Sequence, residues 1–227
     1  MATTKAQRIG VSIILVVTVI GTLGSFAAMI LGQENAVKDA KVQQQEYDEY
    51  QKKVEEYQSK VQAQADELSA KYYPVFSQYA SQAVEFNLDE AEKGGLKTED
   101  VLVGDGEEVT DATNLSAYYI GWLPSGKVFD QSIDTSKLKS PIGLSPTLAD
   151  AQVIAGWKEG IKGMKMGGVR VITIPSEKAY GEDGSKDSTG KETIPANTPL
   201  KFVVMAIPVP EEIATPEYPQ SMLQGLY

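Results

Sequence analysis

Hydrophobic and polar positions divide this chain into four stretches of different rhythm. The first is an unbroken apolar run, IGVSIILVVTVIGTLGSFAAMIL, from Ile9 to Leu31, with no charged residue. As a helix it spans roughly 30–35 Å, the thickness of a bilayer's hydrocarbon core. Lys5 and Arg8 precede it, and this basic flank places residues 1–8 in the cytoplasm and everything after residue 32 outside. A cleaved signal sequence is the competing reading, with Ser25 and Ala27 as small residues before a cut. The run continues through Met29-Ile30-Leu31, longer than a signal core, so we read 9–31 as a retained transmembrane anchor.

The second stretch has a seven-residue rhythm. Residues 36–73 contain no Gly or Pro, and Ala40, Tyr47, Val54, Val61 and Leu68 recur every seventh position, with Tyr50 and Tyr57 between them. This spacing predicts a long helical stalk with a heptad seam, interrupted by Gln43 and Gln64. Two readings fit equally: a coiled coil pairing two copies into a homodimer, or a single solvated helix acting as a spacer. Pro74 is expected to stop or kink the helix. A second helical segment over 75–92 would present Phe76, Tyr79, Ala83 and Phe86 on one face. Gly94-Gly95 then closes the stalk, assigned to 32–93.

The third stretch, 94–208, changes to short apolar runs between turn signals. Strands are expected at 100–103, 115–123, 168–174 and 200–207, with Pro124-Ser125-Gly126 as a turn. Ile154, Trp157, Ile161 and Met164 recur at helical spacing within 153–164, which would lay one helix on the sheet. An antiparallel sheet with one covering helix is an α+β domain. The last stretch, 209–227, is proline-rich and aperiodic and reads as an extended, mobile tail.

Composition narrows the chemistry. The 227 residues contain neither histidine nor cysteine. Ser-His-Asp and Cys-His nucleophiles, imidazole or thiolate metal sites and disulfides are therefore excluded. A net charge of −10 argues against nucleic acid as a partner. The 183–192 segment alternates Asp183, Ser185 and Asp187 like the start of a calcium loop, but it lacks the required glycine and terminal bidentate Glu. No cofactor and no metal is expected, and any catalysis must run on shape, apolar burial, hydroxyls or carboxylates.

Four phrases, in order, carry a resemblance. They are YYIGWLPSGKVFDQS (118–132), VIAGWKEGIKGMKMGG (153–168), AYGE (179–182) and IPANTPLKFVVMAI (194–207). With the lead-in LKTEDVLVGDGEEV (96–109), they resemble the FKBP-type peptidyl-prolyl cis-trans isomerases over about 110 residues. The anchored arrangement is loosely similar to the Mip-like bacterial branch of that family, where a long helix dimerises. The resemblance implies an FKBP-like antiparallel, twisted sheet wrapped on one short helix, here preceded by the anchor and the stalk. It also implies isomerase activity on X-Pro bonds, needing no nucleophile, metal or histidine. The partners implied are proline-containing polypeptides, here those of the extracytoplasmic side.

Site residues follow from motif position. Trp157 would floor the site under the prolyl ring, with Tyr119, Phe129, Val153, Ile154 and Phe202 as walls. Tyr180 and the Ile154 N–H would hydrogen-bond substrate carbonyls. Asp130 would stand at the edge near the twisting carbonyl, oriented by Tyr119, and Ile194 would face the substrate from the following loop. Without the phrases, Phe129, Phe202, Val153 and Ile154 would read as ordinary core, and Trp157 as helix packing. Ile142 and Leu144 read as packing in either case.

The chain also departs from the family. Residues 133–152 are longer than usual and supply Pro-Ile-Gly-Leu where an aromatic wall is common, and the loop 182–192 is strongly polar. These departures motivate the alternative function, a membrane-tethered peptide-binding or chaperone module with weak or no isomerase activity.

Overall fold

The computed structural model describes residues 34–219, with side chains from residue 41 onward. The run 9–31 read as an anchor lies outside the described residues. Among the described residues no helix is long and apolar enough to cross a membrane. The chain forms two compact units, one comprising the helix up to Gln64 with the chain from Glu211 onward, the other Ala65–Pro210.

One helix, α1, runs over Glu34–Phe76. Pro74 does not end it: the helix continues two further residues before tightening into a 3-10 segment, Ser77–Gln82. The proline removes the N–H that would bond the Ala70 carbonyl, but only two helical residues follow it, so the interruption falls at the very end of the ladder. The Pro74 carbonyl is taken up by the Gln78 side-chain amide at 2.7 Å. The 75–92 stretch is thus not one helix. After an irregular passage, a separate short helix α2 covers Leu88–Lys93, capped by the Asn87 side chain accepting from the Glu90 N–H at 2.9 Å.

In the first unit, Tyr50 and Val54 are buried and Tyr47, Tyr57 and Val61 half-buried, so the heptad positions form a covered stripe. Part of its cover is the chain's own tail. Tyr218 packs edge-on against Tyr50 with ring centroids 5.2 Å apart, and Gln64 Nε2 donates to the Glu211 carbonyl at 2.7 Å. From Gln64 back to Tyr50 the helix rises roughly 21 Å at 1.5 Å per residue. From Glu211 to Tyr218 an extended chain covers roughly 23 Å at 3.3 Å per residue, so the tail lies antiparallel along the helix. The tail is extended, as its prolines require, but it is not loose at these positions.

The second unit is built on a sheet. Its strands are β1 (Lys97–Leu102), β2 (Leu115–Trp122), β3 (Val128–Gln131), β6 (Ile142–Leu144), β7 (Val169–Ile174) and β10 (Leu200–Pro208). Their order is β1-β7-β10-β2-β3, antiparallel throughout, with β6 pairing the first half of β2 while β3 pairs the second. Two small hairpins, β4–β5 (Ile133–Asp134 with Lys137–Leu138) and β8–β9 (Ser185–Lys186 with Glu192–Ile194), lie outside it.

Both faces of this sheet are buried, and period-two alternation sorts the residues between them. On one face Leu115, Ala117, Ile172, Ile174, Leu200, Phe202, Val204 and Ala206 pack with the helix α3, Ala155–Ile161. On the other, Tyr118, Ile120, Trp122, Val169, Val203, Met205 and Ile207 pack under Leu68, Tyr72 and Phe76 of α1. Tyr79, Ala83 and Phe86 extend this cover, and the Trp122 indole N–H donates to the Val84 carbonyl at 2.9 Å. Central strands buried on both sides explain the near-continuous apolar runs of β2 and β10. The compact unit therefore includes the end of α1, which the sequence pattern groups with the stalk.

Helix α3 is shorter than the spacing of its apolar residues suggests, seven residues with Ile154 as the N-cap. It lies close on β7 because its contact face is glycine. A Cβ at Gly156 would meet Ile174 Cγ2 at 2.3 Å, and one at Gly160 would meet Ile172 Cγ2 at 2.6 Å. Arg170 fixes the helix's far end. Its guanidinium donates to the carbonyls of Gly160 (2.9 Å) and Lys162 (3.0 Å) while forking onto the Asp100 carboxylate at 2.6 and 2.9 Å. One buried cation thus ties α3 to β7 and β1.

Candidate active site

Where α3 crosses β2 and β10, four rings meet edge to face. Trp157 stands 5.2 Å from Tyr119 and 5.4 Å from Phe202, and Phe202 stands 5.6 Å from Phe129, at interplanar angles of 77°, 90° and 88°. Such T-shaped contacts place the positive edge of one ring on the negative face of the next. Trp157 and Phe202 are nearly buried, while Tyr119, Phe129, Val153 and Ile154 are half-buried around them. The result is a rigid aromatic floor with partly open walls.

Strand register explains how β3 contributes two consecutive residues to one face. Ile120 pairs with Gln131 and Gly121 with Asp130, but Trp122 pairs with Val128, so Phe129 is the extra residue of a β-bulge. Without the bulge, Phe129 and Asp130 would point to opposite sides. With it, the Phe129 ring reaches the rings beneath Gly121, and the Asp130 carboxylate accepts a hydrogen bond from the Tyr119 hydroxyl. The other Asp130 oxygen accepts from the Gln131 N–H at 2.8 Å. Burial, reinforced by Asp130, pushes the Tyr119 phenol far above its ordinary value of 10, so it stays a donor.

Two residues absent from the sequence-derived site support it. Gly121 leaves the room in which the rings meet: a Cβ there would lie 2.6 Å from Phe202 Cε1 and 2.7 Å from Phe129 Cζ. A glycine inside a strand is a signal of close approach. Ser132 pins Tyr119, accepting from its N–H through Oγ at 2.9 Å and donating its own N–H to the Tyr119 carbonyl at 2.8 Å. No local sequence signal singles out Ser132.

The remaining candidates occupy different positions. Tyr180 stands at the rim, 39% exposed, between the turn Ser176–Lys178 and the turn Gly181–Asp183, with its phenol raised by burial and by the Asp130 charge. Ile154 ends the chain's approach to α3, and as the N-cap its N–H precedes the helical ladder and is not consumed by it. Ile194, on β9, is 2% exposed and packs inside the core cluster, so its side chain is given to the interior. On β6, Leu144 is buried and Ile142 half-buried against the same cluster.

Comparison with known proteins identifies the family. The sequence profile of the FKBP-type peptidyl-prolyl cis-trans isomerases matches residues 106–207. An FK506-binding protein of Neisseria meningitidis serogroup B is 41% identical over 118 residues, covering 52% of this chain and 99% of that protein. A peptidyl-prolyl cis-trans isomerase of Saccharomyces cerevisiae is 35% identical over 115 residues, covering 51% of this chain and 25% of that protein. Among solved structures, AtFKBP13 is 34% identical, covering 51% of this chain and 94% of that one at a TM-score of 0.44. The chain belongs to the FKBP-type peptidyl-prolyl cis-trans isomerase family, whose members act on proline-containing polypeptides.

Proposed function

We propose that the aromatic surface around Trp157 isomerises X-Pro bonds in extracytoplasmic polypeptides. The observation that carries this reading is the ring set Tyr119, Trp157, Phe202 and Phe129 with the Tyr119–Asp130 pair at its rim. Rotation about an X-Pro amide must cross a barrier of roughly 18–20 kcal/mol, because the planar bond is conjugated. The twisted form loses that conjugation and much of the amide's dipole. A dry aromatic site therefore accommodates it better, relative to water, than the planar ground state.

Trp157 would lie under the prolyl ring, with Phe129, Val153, Ile154 and Phe202 closing the sides. The Ile154 N–H and the Tyr180 hydroxyl would hold the flanking carbonyls, so that only the prolyl bond turns. Asp130, oriented by Tyr119, would face the rotating carbonyl. The charge-free run 9–31 supports a membrane tether for this activity, and the heptad spacing supports a stalk that pairs with a second copy beside or in place of the tail packed at Tyr50. A second reading, peptide binding with weak isomerisation, is favoured by β6, where Ile142 and not a ring packs beside the site.

Catalysed cis/trans exchange of a short Xaa-Pro peptide, abolished in Asp130→Ala, is the expected result for the isomerase. Peptide binding without exchange would favour the second reading.

A further inference from the structure

The hydroxyl at the rim of the site, that of Tyr180, is carried by neither a helix nor a strand of the sheet. It follows a single 3-10 turn, Ser176–Lys178, and precedes another turn at Gly181, where the backbone takes φ +54°. A side chain mounted this way is only as well placed as the points that hold its loop. Three contacts hold it. The Gly181 carbonyl accepts from the Asn197 N–H at 2.7 Å. Lys178 reaches Glu159 on α3 at 2.5 Å, an ion pair half open to solvent and worth little in isolation.

The third contact is of another kind. Both oxygens of the Glu92 carboxylate close on Ser176: Oε2 accepts from its N–H at 3.0 Å and Oε1 from its hydroxyl at 2.5 Å. Ser176 is 5% exposed, and Glu92 makes no ion pair among the described residues. A carboxylate devoted to two donors of one buried residue is a geometric clamp, stronger than a neutral pair of bonds. Glu92 sits on α2, whose Ala91 is buried, fourteen residues before the part of the chain matched by the family profile.

We propose that Glu92 is a positioning residue for the isomerase: by clamping Ser176 it sets the turn that presents the Tyr180 hydroxyl to the substrate. This rests on the role given to Tyr180 above. The segment preceding the family domain would thereby contribute to the site without touching substrate.

A double-mutant cycle on the full chain, reading kcat/KM for a short Xaa-Pro peptide, tests it. Glu92→Ala is expected to lower kcat/KM about fivefold, mostly through kcat, since loss of orientation acts on the turning bond more than on ring binding. Glu92→Gln retains an acceptor for the Ser176 N–H and a donor for its hydroxyl oxygen, so it should stay within about twofold of wild type. In a Tyr180→Phe background, Glu92→Ala should cost nothing further. The Tyr180 ring resonance should shift in Glu92→Ala and not in Glu92→Gln.

Losses that multiply in the double variant would overturn the proposal, because Glu92 would then act by another route. Unchanged kcat/KM in Glu92→Ala beside a slow Tyr180→Phe would overturn it while leaving the Tyr180 role intact. A fully active Tyr180→Phe would overturn both, whereas Asp130→Ala reports separately on the isomerase itself.

Discussion

The Tyr119 hydroxyl donates to the Asp130 carboxylate across a pair of strands that a bulge at Phe129 has thrown out of register. Three residues are fixed by that one irregularity: Phe129 joins the ring set, Asp130 turns to the same side, and Tyr119 gains an acceptor. Tyr119→Phe keeps the ring and frees Asp130. It should lower kcat/KM roughly three- to tenfold, and Asp130→Ala tenfold or more, each tenfold being about 1.4 kcal/mol of barrier. Both proteins should keep the near-ultraviolet spectrum of the folded domain. Full activity in both would remove Asp130 from the mechanism.

Gly121 offers a test of the ring geometry that replaces none of the proposed site residues. A methyl there overlaps Phe202 and Phe129 at 2.6 and 2.7 Å, so the rings must part. Gly121→Ala should cost roughly 1–3 kcal/mol of stability by overpacking and a larger share of activity than of fold. Thermal unfolding and the exchange rate, measured together, separate the two effects.

On the opposite face of the sheet, the Tyr118 hydroxyl is buried beneath Tyr72 and Phe76 with no hydrogen-bond partner among the described residues. Burial pushes its phenol up to about 12. Removing a buried hydroxyl that lacks a partner should stabilise the domain by up to about 1 kcal/mol, so Tyr118→Phe should leave Tm unchanged or raise it, and a lower Tm would contradict this. The pH dependence follows in sign. Tyr118, Tyr119 and Tyr180 all hold their protons more tightly folded than unfolded. Their stabilisation is complete below pH 10 and is lost progressively above it, with rim-exposed Tyr180 contributing least because solvent screens it. Tyr118→Phe should soften that alkaline loss. Because the site holds no histidine and its tyrosines lie far above neutrality, kcat/KM should be flat between pH 6 and 8.

The end of α1 belongs to the sheet. Phe76 is fully buried between Tyr118 and its neighbours, and Leu138 donates its N–H to Ser69 Oγ at 2.9 Å. Phe76→Ala should destabilise by about 3–5 kcal/mol, read as a lower urea midpoint. A chain beginning at Gly95 should be less stable than one beginning before Ala65, because Tyr118, Trp122 and Met205 lose their cover.

Much of this was legible from the residues. Apolar runs between turn signals placed four of the strands within a few positions, since central strands buried on both faces leave long apolar runs. The heptad spacing at Tyr47, Tyr50, Val54, Tyr57 and Val61 marked a covered stripe correctly as apolar, but spacing carries no information about what covers it. Part of the cover is the proline-rich tail, which has no periodicity to read. Pro74 marked the end of the helix to within two residues, since the ladder runs on to Phe76 before tightening into the 3-10 segment. The site's residue types came through the four phrases. The bulge that gathers Phe129 with Asp130, and the clearance at Gly121, depend on register between strands and are invisible along the chain. Glu92 lies eighty-four residues from Ser176 and carries no pattern at all.

The most direct test of the whole account is cis/trans exchange, measured by NMR on a short Xaa-Pro peptide with the full chain and with Phe129→Ala. Phe129 is half-buried at the margin of the core cluster with its ring edge-on to Phe202, so its loss opens the wall. The account predicts rapid exchange with the wild-type chain and little above the uncatalysed rate, tens to hundreds of seconds, with the variant. Equal exchange in both, or none with the wild-type chain, would contradict it.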